Sequence, residues 1–317
     1  MPECRLFPIR QEEAVSDTIF FGYIPNFLVK GDRIYIPDEI RGQLIVADTS
    51  FRLVRTIGRK GEGPGEFAQP LRLSLTDNGW LWANGHGRGF LAHDTLGNLK
   101  ATVKYKGQMI TQFFADEQAR VWTSIPGEAE GDILVYDTTS HIVKGIANRF
   151  EHVPESRIDD LSRCHLIRAS KETFYAIGIS EAIIRLFDLN GNLLEECNLR
   201  AHPIVQRYFE DCERKRQSLG SDPNKAVFVI FQDAVAIDES TLYLLMYYYE
   251  GEPPDICIDR VMVLDFPSCH LLGTYRLMTP GQDKAFFQSF SVADGRLYAF
   301  DVLSSSFFVY ALPQAVD

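Results

Sequence analysis

The 317-residue sequence has no apolar run near the ~18 residues that a membrane-spanning helix needs, so no membrane insertion is expected. It also lacks a basic surplus. Its 32 Lys and Arg face 43 Asp and Glu, a formal net charge of −11. That balance leaves no positive stripe for phosphates, which excludes a nucleic-acid partner and docking on anionic lipid. No Cys-x-x-Cys pair occurs. The six cysteines, at 4, 164, 197, 212, 257 and 269, lie in a chain large enough to fold without staples, and they read as small buried hydrophobes. The N-terminal stretch MPECRLFPIRQEEAVSD has no basic segment leading into an apolar one, so no signal peptide is read there. The expected compartment is the cytoplasm, or the periplasm or exterior if an export signal has been removed. With 45% hydrophobic residues, a large buried core is within reach.

What the sequence does have is a repeat. An apolar alternating segment ends in Asp and a turn, as in Leu44–Thr49, Phe90–Thr95, Ile133–Thr138, Ile184–Leu189 and Val261–Phe266. The Asp residues at 48, 94, 137, 188 and 265 stand 46, 43, 51 and 77 apart, and a sixth segment, Phe307–Ala311, lacks the Asp. Asp can bond the backbone ahead of it, and Gly97 or Gly191 can take a positive φ, so each Asp opens a hairpin. A second turn precedes each by about 15 residues, at Lys30-Gly-Asp, Asp77-Asn-Gly79, Asp116-Glu-Gln and Asp294-Gly295. Four short strands per ~45 residues, six times over, predict an all-β six-bladed propeller filling residues 1–317 as a single domain. The sixth unit shows three strands, and the segment around Cys4–Ile9 is expected to supply its outer strand. The long 188-to-265 interval holds a helical pattern over about 203–220, with apolar residues at 204, 208 and 212 and at 205 and 209. Pro203 suits its first turn and Gly220 its end. This helix is expected to pack on the propeller, with a lid as the alternative.

The stretch Ile57-Gly-Arg-Lys-Gly-Glu-Gly-Pro-Gly-Glu-Phe-Ala-Gln-Pro70 is the most specific in the chain. It resembles the G-x-x-G-x-G-P-G-x-F-x-x-P blade junction of NHL-like six-bladed propellers. The resemblance implies a fold whose members include ligand binders, scaffolds, lyases and hydrolases. A phosphate-cradling role is excluded, because no Gly-Lys-Ser/Thr and no helix follows. Gly63 or Gly65 is expected to hold a backbone conformation costly for other residues.

Loops at inner-strand starts converge on one mouth of a propeller, so polar residues there are the site candidates. These are Tyr23, Asn26, Gln69, Arg72, Gln108, Thr111, Arg163, His165, Gln232, Asp233 and Gln288. The expected function is binding, of a small anionic organic molecule or a protein partner. The alternative is an enzyme (lyase, hydrolase or isomerase) in which His165 and Asp233 form an acid-base pair and the arginines hold an oxyanion. Of the seven histidines, only His165 falls at an inner-strand position, so a zinc site and other cofactors are not expected. Calcium on Asp233, Asn26 and carbonyl groups is conceivable but has no motif behind it.

Overall fold

The computed structural model describes residues 3–85, 89–105, 112–128, 131–148, 164–218, 229–250, 255–281 and 284–313. The fold is a six-bladed β-propeller with a single helix among the described residues. Strands β1 (Cys4–Leu6) and β2 (Pro8–Glu12) come first, then a hairpin of β3 (Ala14–Ser16) and β4 (Ile19–Phe20). Blade one is β5 (Leu28–Lys30), β6 (Arg33–Asp38), β7 (Gln43–Asp48) and β8 (Leu53–Ile57). Blade two is β9 (Pro70–Leu75), β10 (Leu81–Gly85), β11 (Gly89–His93) and β12 (Leu99–Val103). Blade three is β13 (Phe113–Ala115), β14 (Val121–Glu128), β15 (Gly131–Tyr136) and β16 (Ile142–Ile146). Blade four is β17 (Cys164–Arg168), β18 (Thr173–Gly178), β19 (Ile183–Asp188) and β20 (Leu193–Asn198), and helix α1 (Pro203–Ser218) follows. Blade five is β21 (Phe231–Ala236), β22 (Thr241–Glu250), β23 (Asp255–Asp265) and β24 (His270–Leu277). Blade six is β25 (Phe287–Ala293), β26 (Arg296–Asp301) and β27 (Ser306–Ala311).

The N-terminal strand completes blade six, but later in the chain than the sequence suggested. Strand β2 pairs antiparallel with β27, from Pro8 opposite Tyr310 to Glu12 opposite Phe307. Pro8 begins the strand, where its missing N–H breaks little of the ladder. Residues Cys4–Leu6 instead run parallel to Tyr275–Leu277 as a fifth strand of blade five. Leu6 is buried there, its carbonyl accepts from Met278 N at 2.9 Å, and Glu3 pairs with Arg260 at 2.7 Å.

The turns follow one design. The Oδ1 atom of Asp48 accepts the backbone N–H of Ser50 and Arg52, two and four residues on. Asp94 does the same with Leu96 and Asn98, Asp137 with Thr139 and His141, and Asp188 with Asn190 and Asn192. The third residue after each Asp takes positive φ, yet it is Phe51, Gly97, Ser140 and Gly191 in turn. The carboxylate, more than the glycine, is the constant that makes the turn. The Asn98 side chain and then Lys100 hold the Asp94 carboxyl far below the usual range, and the Thr139 hydroxyl lowers that of Asp137. Folded values below the unfolded ~3.9 mean that these carboxylates stabilise the fold above pH ~4, a contribution lost as pH falls through the folded values. Asp94→Asn is therefore expected to flatten the acid limb of a stability-versus-pH curve followed by circular dichroism. An acid limb like that of the wild type would refute the role.

Two compact units make up the chain. One comprises Met1–Leu6, Ile125–Asp132 and Ile146–Phe286. Its core joins Tyr175 and Ile177 of β18, Leu242 and Leu244 of β22, and Met262 of β23. Val205, Tyr208 and Cys212 of α1 belong to the same cluster, so this face of the helix is built into the core. Within this unit Cys197, at the end of blade four, is disulfide-bonded to Cys269 in the outer turn of blade five. The expectation that all six cysteines are small buried hydrophobes is thus corrected for these two, and for Cys4, which is exposed; Cys164, Cys212 and Cys257 are buried and, like Cys4, form no disulfide. The other unit comprises Phe7–Ser124, Ile133–Gly145 and Phe287–Asp317. Phe307 is the hub of one of its clusters, with Phe21 and Phe27 edge-on at 4.7 and 4.8 Å. Phe67, Leu73 and Leu81 anchor another.

Candidate functional site

The glycine junction closes on itself. Phe67 N donates to Arg59 O at 2.9 Å, and Gly61 N donates to Phe67 O at 3.1 Å. The Glu66 carboxylate accepts from Gly63 N at 2.8 Å and from Arg59 Nε at 2.7 Å. Gly65 has φ +75°, as anticipated; Gly63 does not, and the second constrained position is Gly58 at φ +73°, where a Cβ would lie 2.5 Å from the Phe67 ring. His93 packs its ring 5.3 Å from that of buried Phe67, and burial lowers its pKa. The junction carries the turn into blade two, and the Glu66 carboxylate is engaged within it.

Several polar residues of the inner strands are latches between neighbouring blades. Asn26 Oδ1 accepts from Leu73 N at 2.9 Å, joining blades one and two. Ser74 Oγ accepts from Ala115 N at 3.0 Å, joining two and three. Ser291 Oγ accepts from Val29 N at 3.2 Å, joining six and one. His165 is buried, and its Nε2 donates to the carbonyl of Phe231 at 3.0 Å, joining four and five. An inner strand is short and flanked by neighbours, so a side chain that satisfies the next blade's backbone removes an otherwise costly unpaired group.

Five of the remaining candidates form two groups, one in each unit. In blade five, the Tyr247 hydroxyl donates to Gln232 Oε1, and Asp233 is buried on β21 opposite Leu245. In blades one and two, Gln69 Nε2 donates to Glu39 Oε1 at 3.0 Å. Burial raises the Tyr23 pKa, the charge of Arg72 opposes this, and Glu39 adds to it, so the three lie within electrostatic reach. Gln288 is half-buried on β25. Gln108, Thr111 and Arg163 lie outside the described residues.

Around Tyr23 the surface is open. Tyr23 is 48% exposed, Phe20 61% and Ile40 66%, and the cavity that Phe20, Tyr23, Glu39 and Ile40 share with their neighbours holds only about 10 Å³. Phe20 and Ile40 escaped sequence reasoning because they sit on the β3–β4 hairpin and the β6–β7 turn rather than on inner strands. A bulky apolar residue inside a turn, Glu39-Ile40-Arg41, was the signal available. Among the described residues no group of three or more His, Cys, Asp or Glu is arranged to hold a metal ion. No described helix is long and apolar enough to cross a membrane.

The DUF5128 family model, described as a 6-bladed beta-propeller, matches residues 15–79. A solved structure from Bacteroides fragilis NCTC 9343, of a presumed exported protein, is similar at a TM-score of 0.60 and 11% identity, over 98% of this chain and 99% of that one. The beta-propeller domain of Myceliophteria thermophila Cps50 (Swd1) is similar at a TM-score of 0.51 and 10% identity, over 95% of this chain and 100% of that one. At such identities the likeness is one of fold. No curated protein matches the chain.

Proposed function

We propose that this propeller is a protein-interaction module that docks a partner segment on the open face of blades one and two. The observation that carries the reading is the exposed set Phe20, Tyr23 and Ile40 beside Glu39, Gln69 and Arg72. Large apolar side chains ringed by polar groups are typical of docking surfaces, and aromatic and Arg residues supply most of the energy at such surfaces. The shallow cavity favours a polypeptide over an enclosed small molecule. Arg72 suits a partner whose apolar anchor is flanked by a carboxylate. Gln69, Arg72 and Tyr23 are the recognition residues of this proposal, while Asn26 and His165 have structural partners. The glycine junction supports an NHL-like propeller. The Cys197–Cys269 disulfide supports the periplasm or exterior over the cytoplasm, because thiols stay reduced in the cytosol. The presumed export of the Bacteroides fragilis neighbour points the same way.

The test is site-specific photocrosslinking in the native extract, with the photoreactive group at Ile40 and a control at exposed Leu303. A discrete protein adduct is expected at position 40 alone. Arg72→Glu should reduce it by about tenfold, the effect of losing ~1.4 kcal/mol of binding. Equal adducts at both positions, or none at 40, would overturn the reading.

A further inference from the structure

A separate cavity of about 220 Å³ lies in the other unit, between α1 and blade five. Apolar cavities of ~150 Å³ can hold benzene, so this one admits a single ring with a substituent. Strand register builds its floor. Met246 stands opposite Arg260 and Met262 opposite Thr274, so Met246, Arg260 and Thr274 project from the same face of blade five. Helix α1 packs on that face, for its Tyr208 and Cys212 share a core cluster with Met246 and Met262. The cavity is the space left between them, walled by Ile204 and Tyr208 of the helix and by Met246 and Tyr249 of the sheet.

The charges around the cavity are engaged with one another. Glu3 pairs with Arg260 at 2.7 Å, Glu250 with Arg276 at 2.8 Å, and Asp211 with Arg214. Arg260 also lies 3.8 Å over the Tyr248 ring. Arg207, the other cation of the lining, is 81% exposed and 4.0 Å from Asp211, so solvent screens it. An ionic guest would lose its hydration and gain no free counter-charge. One polar group is left over. Thr274 lines the cavity at 7% exposure, and its hydroxyl has no hydrogen-bond partner among the described residues. A buried hydroxyl without a partner is costly, and a guest's own hydroxyl or carbonyl would satisfy it. We infer that the cleft between α1 and blade five binds a small neutral molecule, a single apolar ring bearing one hydroxyl or carbonyl group. The ring packs among Tyr208, Met246 and Tyr249, and its polar group meets the Thr274 hydroxyl. This site is independent of the docking face on blades one and two.

The probes are benzyl alcohol and toluene, with benzylammonium and phenylacetate as charged counterparts, titrated into the full chain by protein-observed NMR. Benzyl alcohol is expected to bind, with shift changes confined to α1 and blade five, and both ions to bind at least about tenfold more weakly. Thr274→Val keeps the side-chain shape and removes the hydroxyl. It should weaken benzyl alcohol about fivefold, the scale of one hydrogen bond, and leave toluene unchanged. Should that variant not fold, Ile204→Trp at a half-buried position of the helix fills the cleft instead, and it should weaken both neutral probes more than about tenfold. Binding of either ion as tight as that of the alcohol, absence of alcohol binding, an equal effect of Thr274→Val on alcohol and toluene, or indifference to Ile204→Trp would overturn the proposal.

Discussion

Reduction of the Cys197–Cys269 disulfide is expected to cost the fold about 2–4 kcal/mol, the usual range for a native bridge. The bond closes a loop with a sequence separation of 72, long enough to restrict the unfolded chain heavily. It also joins the outer strand of blade four, exposed at five of its six residues, to the outer turn of blade five. A Cys197→Ser/Cys269→Ser variant should show a lower urea midpoint with the same slope, and the oxidised wild type treated with dithiothreitol should match it. Thiol labelling of the denatured, unreduced protein should count four of six cysteines, from positions 4, 164, 212 and 257. Six reactive thiols, or equal midpoints with and without reductant, would contradict the bridge.

Removal of residues 1–12 is expected to be at least as damaging. Four residue pairs link β2 to β27, and ladder hydrogen bonds contribute on the order of 1 kcal/mol each, so ~4 kcal/mol is at stake in blade six alone. Arg10 adds a bond to the Ser50 carbonyl at 2.8 Å and lies over the Phe51 ring at 5.6 Å. The deletion also strips β1 from blade five, together with buried Leu6 and the Glu3 partner of Arg260. The freed edge of β27 is a template for association with another chain. A sharp fall in melting temperature with aggregation on heating is the expected outcome. A soluble variant that melts like the full chain would show that β27 tolerates an open edge.

The blades were legible in the sequence because each turn is encoded locally. Asp48, Asp94, Asp137 and Asp188 bind backbone within four residues, so a single chain segment carries the whole signal. The helix was legible for the same reason, through Pro203 and the spacing of Ile204, Tyr208 and Cys212. The disulfide was not, since Cys197 and Cys269 occupy unlike positions in their blades and no local pattern pairs them. The N-terminal strand was assigned to the right blade but shifted, because Cys4–Leu6 finds a parallel partner that alternation alone cannot reveal. Asn26 and His165 stood out in the sequence as polar residues in otherwise apolar inner segments. Their purpose was harder to read, because an Asn or His bonded to the next blade's backbone looks in sequence like one awaiting a ligand. The cleft under α1 draws Glu3, Asp211, Tyr248 and Arg260 from three distant segments, and so had no sequence signature at all.

The pairing of β2 with β27 has a consequence for the order of the chain itself. Pro8 and Tyr310 face each other in one antiparallel ladder, so a short hairpin from Ala311 back to Pro8 would join strands that are already neighbours. Opening the backbone instead at an outer turn, such as Asp188–Gly191, would then leave every strand pairing of blade six as it is. In that sense the sheet is indifferent to where the polypeptide begins, and blade six is a splice rather than an end.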